Sequence, residues 1–115
     1  MKEKFDEVFA VNEGEDLDYD TVNTKFYNII KQLSPEGAYD LIDEAINYLL
    51  PLRDSEKISY MLEFISSLYG IAGTNELTDL HEVKVSVIDR QVELYGNQFA
   101  KNVLENLKRE LDIAK

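Results

Sequence analysis

Residues 77–96 read LTDLHEVKVSVIDRQVELYG, and the fold class turns on them. Val83, Val85 and Val87 alternate with Lys84 and Ser86, which is the period of a half-buried strand, and β-branched residues favour that state. Over a longer window the period changes. Leu80, Val83, Val87 and Leu94 share one helical stripe, and Val85, Ile88, Val92 and Tyr95 share a neighbouring one. Thr78 or Asn75 supplies an N-cap and Gly96 a stop. Periodicity sustained from Leu77 to Tyr95 outweighs alternation over VKVSV, so the segment is expected to be helical. The breadth of the two stripes together predicts a central helix packed on two sides.

The flanking segments carry the same 3.6-residue period. In DTVNTKFYNIIKQL, Val22, Phe26, Ile29, Ile30 and Leu33 form one face, with Asp20 as the expected N-cap. SPEGAYDLIDEAINYLLP has Ser34 as cap, Pro35 at the first helical position and Pro51 as terminator, with Ala38, Leu41, Ile42, Ala45, Ile46 and Leu49 between them. DSEKISYMLEFISSLYG places Ile58, Met61, Leu62, Ile65, Leu68 and Tyr69 on a stripe, capped by Asp54 or Ser55 and stopped by Gly70. NQFAKNVLENLKRELD follows with Asn97 as cap and Phe99, Ala100, Val103, Leu104, Leu107 and Leu111 inward. A short N-terminal helix would bury Phe5, Val8 and Phe9. The expected fold is therefore all-α, a compact bundle of five to six antiparallel amphipathic helices in a single domain, 1–115, with an acidic N-terminal segment, 1–20.

Composition narrows the function. The chain carries 23 acidic and 12 basic residues, a net charge of -11, which repels nucleic-acid phosphates and anionic lipid. Neither a nucleic-acid nor a membrane partner is expected. Residues 1–24 hold eight carboxylates and two lysines, so about half of the excess sits in the first fifth of the chain. There is no cysteine, which removes disulfides, thiolate metal sites and cysteine nucleophiles, and a reducing cytoplasm is the expected home. Lys and Asn are frequent and Arg is scarce, a composition of AT-rich bacterial or phage genomes.

Catalytic patterns are missing from the sequence. His81 stands alone between Leu80 and Glu82 and reads as a surface or boundary residue. Ser66 and Ser67 lie in an apolar helix without a glycine elbow, and the five glycines match no phosphate-binding loop. No enzyme and no cofactor are expected. The stretch EGEDLDYD, 13–20, is the strongest lead. Its Asp16, Asp18 and Asp20 match the first three ligands of a calcium loop, but Thr21 stands where glycine is needed and Tyr27 where a bidentate Glu is needed, so no metal site is expected.

A binding role fits the residues better. Glu13, Glu15, Asp16, Asp18 and Asp20 surround Tyr19, and Glu36, Asp40, Asp43 and Glu44 lie on one polar face beside Tyr39. Carboxylates next to tyrosines make amphipathic contacts suited to a basic protein surface. These eleven residues are the expected partner-binding set. In size, charge and tyrosine usage the chain resembles the small acidic immunity proteins and antitoxins of bacteria, a likeness of class rather than of motif. That resemblance implies an inhibitor docking on a basic nuclease toxin. A regulatory or structural adaptor is the alternative, and a helical enzyme or ligand-binding bundle with buried carboxylates is a further one.

Overall fold

A computed structural model describes residues 2–10 and 16–111. Six helices make up the fold: α1 Lys2–Val8, α2 Tyr19–Ile30, α3 Pro35–Leu49, α4 Ser55–Ala72, α5 Asp79–Tyr95 and α6 Gln98–Glu110. No strand occurs among the described residues, and VKVSV lies wholly inside α5. The radius of gyration of 13.5 Å is that of a compact chain of this length.

Each long helix begins where a side-chain oxygen meets an orphan backbone N–H. Ser34 accepts from Gly37, Asp54 from Glu56 and Lys57, Thr78 from His81, and Asn97 from Ala100. α2 starts earlier than expected. Its cap is Asp18, which accepts from Thr21, while Asp20 lies in the first turn beside the helix dipole. α4 also outruns its expected stop at Gly70: Ile71 and Ala72 keep their inward register, and Gly73, at φ 70°, ends the helix in the left-handed region that glycine tolerates best.

The central helix is α4, not α5. Ile58, Ser59, Tyr60, Met61, Leu62, Phe64, Ile65, Leu68 and Tyr69 are all buried, which takes in more than one face of the helix. α3 runs antiparallel to it, since Tyr39 meets Tyr69 while Tyr48 shares Phe9 with Tyr60. α5 returns alongside, from the His81–Tyr69 contact to Gln91 at the α3–α4 turn. Only one side of α5 is covered. Ile88 and Val92 are buried, whereas Val83, Val87 and Leu94 are 71%, 46% and 58% exposed, so the expected packing on two sides does not occur.

Phe64 ties the first two helices to this centre. Its ring stacks on Phe26 at 4.5 Å and meets the edge of Phe5 at 5.6 Å. Lys25 of α2 adds a polar tie, donating to the carbonyls of Glu7 and Ala10 at the end of α1.

Candidate functional site

The acidic residues divide into two groups. Asp16, Asp18, Tyr19 and Asp20 stand exposed at the start of α2. Thr21 donates both its N–H and its hydroxyl to Asp18, at 3.2 and 2.6 Å, and these bonds hold that carboxyl below its usual range. Glu13 and Glu15 lie outside the described residues.

The second group follows α3. Glu36, Asp40 and Glu44 are exposed, but Asp43 is half-buried, with its Oδ1 enclosed and unpartnered among the described residues. Tyr39 is not a free contact point either. Its hydroxyl donates to the Glu76 carbonyl at 3.2 Å and its ring stands edge-on to Tyr69, so it packs α3 against α4 and the following loop. Tyr19 meets Tyr60, whereas Tyr39 meets Tyr69, nine positions further along α4 and thus about 13 Å away by helical rise. The two groups flank different halves of the central helix.

His81 is a buried residue rather than a surface one. The Tyr69 hydroxyl lies 2.7 Å from its Nδ1 and accepts the Thr78 N–H at 3.3 Å. The Tyr69 hydroxyl thus joins the imidazole to the Thr78 backbone, and the direction of the Tyr69–His81 bond follows the imidazole tautomer. Burial pushes the Tyr69 phenol up to about 12 and pushes His81 down, although Asp43 and Asp89 pull the imidazole the other way. The neutral ring is the form that the interior accepts.

A pH dependence follows, with a definite sign. Between the folded pKa of His81 and its unfolded value near 6.5, the unfolded chain binds more protons, so stability is lost as pH falls through 6.5. Urea midpoints from pH 7.5 to 5.5 are expected to decline in the native protein, and His81→Gln should flatten the slope. The chain's only histidine gives a single imidazole signal, whose midpoint should lie below 6.5. An equal decline in the variant would contradict the assignment.

Sequence reasoning missed a third feature, a groove of about 600 Å³ between α2, α4 and α6. Tyr19, Tyr27, Tyr60 and Phe64 form aromatic walls, with Glu63 and Glu110 among them and Asn23 and Asn106 at the sides. No Lys or Arg lines it. Ser66 donates to Glu110 at 3.0 Å, while Glu63 has no hydrogen-bond or ion-pair partner among the described residues. Partial burial pushes the Glu63 carboxyl up. Three helices far apart in sequence contribute these groups, so no local pattern announces them. The nearest signal is Tyr19 and Tyr27, two turns apart on one helix face.

No known protein family, curated protein or solved structure matches this chain. Function therefore rests on the chemistry of the surface. Among the described residues no group of three or more His, Asp or Glu is placed to hold a metal ion. No described helix is long and apolar enough to cross a membrane.

Proposed function

We propose that the protein is a non-enzymatic binding module whose acidic surface docks on a basic protein partner. The observation that supports this reading is that exposed carboxylates of both acidic groups stand outside the ion pairs of the described residues. Among the described residues, Lys2–Asp6 and Lys108–Asp89 pair across 3.1 and 3.0 Å. Asp16, Asp20, Glu36, Asp40 and Glu44 are in neither pair and are exposed. Carboxylates left free at the surface keep their long-range field, which accelerates encounter with a positive partner. Inhibition of a basic nuclease toxin, in the manner of an immunity protein or antitoxin, is the concrete form of this reading.

The test is kinetic, with a partner captured from the native host. Asp16, Asp18 and Asp20 are changed together to Asn, which retains the capping oxygen at 18. A second variant changes Glu36, Asp40 and Glu44 to Gln, Asn and Gln, and leaves the half-buried Asp43 untouched. At low salt the association rate should fall by about tenfold in at least one variant, and the difference should vanish as salt screens the field. Dissociation should change little. Association indifferent to both the substitutions and the salt would overturn the proposal.

A further inference from the structure

We infer that the groove between α2, α4 and α6 is the seat of an arginine side chain carried by the basic partner, its guanidinium held by tyrosine faces and by the Glu63 and Glu110 carboxylates. The inference rests on the reading above and adds to it a place and a residue type.

The walls of the groove carry exposed tyrosine rings, the side chains on which a cation can stack. Tyr27 and Tyr19 are 61% and 52% exposed, more than a tyrosine kept only for packing would be. Tyr60 backs Tyr19 with their ring centroids 6.0 Å apart. A guanidinium is planar and weakly hydrated, so it stacks on such faces better than an ammonium does.

The carboxylates supply the charge. Glu63 is partly desolvated and unpaired among the described residues, an arrangement that disfavours its ionised form until a cation arrives. Glu110 is held through Oε2 by Ser66, which leaves Oε1 for a donor from outside. Asn23 adds a side-chain carbonyl for a remaining guanidinium N–H, whereas the Oδ1 of Asn106 already accepts from Arg109 at 3.0 Å. A groove of similar volume between α1 and α2 makes the contrast, because Lys4 and Lys25 line it against the single carboxylate of Glu7, and it has no aromatic wall.

The test uses the whole protein with a hexa-arginine peptide as probe, and hexa-lysine and hexa-citrulline as controls. Binding is followed by amide and side-chain nuclear magnetic resonance. Hexa-arginine should shift Asn23, Glu63 and Asn106, and the Glu63 carboxyl should titrate at lower pH in the complex. Hexa-lysine should bind more weakly, and hexa-citrulline should not bind. Glu63→Gln with Glu110→Gln preserves volume and should weaken hexa-arginine by about tenfold, the scale of a lost charge-assisted bond. Tyr27→Ala removes an exposed wall and should cost about 2–5-fold. Shifts confined to Glu36, Asp40 and Glu44, or an affinity unmoved by the Glu63 and Glu110 changes, would overturn the groove while leaving the basic-partner reading intact. Spermidine matching hexa-arginine in the groove would also overturn it, in favour of a small polyamine ligand. No binding of hexa-arginine at any site, even at low salt, would overturn both.

Discussion

Phe64→Ala is expected to lower folding stability by about 3–5 kcal/mol, a large share of what a domain of this size possesses. The ring is 2% exposed and contacts Phe5 of α1 and Phe26 of α2, so its loss opens a cavity where three helices meet. α1 is short and has little else to bury, since Phe5 and Val8 are its buried side chains. Hydrogen exchange in α1 and α2 should therefore rise more than in α3 and α5. Phe64→Leu, which refills most of the volume, should recover about half of the loss. Chemical denaturation of the three proteins measures the effect, and a midpoint for Phe64→Ala within error of the native protein would contradict the assignment of Phe64 as the joint.

Gln91→Glu is the second large effect, and its size depends on pH. Nε2 of Gln91 donates to the carbonyls of Leu49 and Leu52 at 2.7 and 2.8 Å, clamping α5 onto the turn that joins α3 to α4. An ionised carboxylate there has no proton to donate, faces two carbonyl dipoles and is buried. Its cost should be about 3 kcal/mol or more at neutral pH. Both burial and the carbonyls raise the folded pKa of the new carboxyl above its unfolded value near 4.3, so the folded variant binds more protons than the unfolded one between those values. The deficit should shrink as pH falls through the folded pKa. Gln91→Leu should cost about 1–3 kcal/mol from the same two carbonyls, without that recovery. Parallel unfolding curves at all pH values for the two variants would show that the clamp is not what holds the turn.

Helix existence was legible in the sequence wherever local chemistry and hydrophobic period agreed. Ser34, Pro35 and the stripe from Ala38 to Leu49 defined α3 without ambiguity, and Asn97 did the same for α6. Boundaries were less legible. Asp18 and Asp20 are both competent caps, and only the bonds from Thr21 select Asp18. Gly70 looked like a terminator, yet an intrahelical glycine is tolerated when the residues beyond it pack, as Ile71 and Ala72 do.

The sequence by itself determined the all-α class, the acidic character and the inward stripe of each helix, because capping, period and charge are properties of neighbours along the chain. Tertiary structure alone decided which helix is central, which polar residues go inside and where a groove opens. The stripes of α5 contain as many branched apolar residues as a buried helix needs, yet Val83, Val87 and Leu94 face outward because no other helix packs against that side. His81 looked peripheral beside Glu82 and lies in the core because the loop after α4 folds it onto Tyr69. Glu63 gained its aromatic surroundings from α2 and α6, separated from it by dozens of residues. Burial is set by how many elements converge on a side chain, and that number is fixed by long-range packing rather than by local pattern.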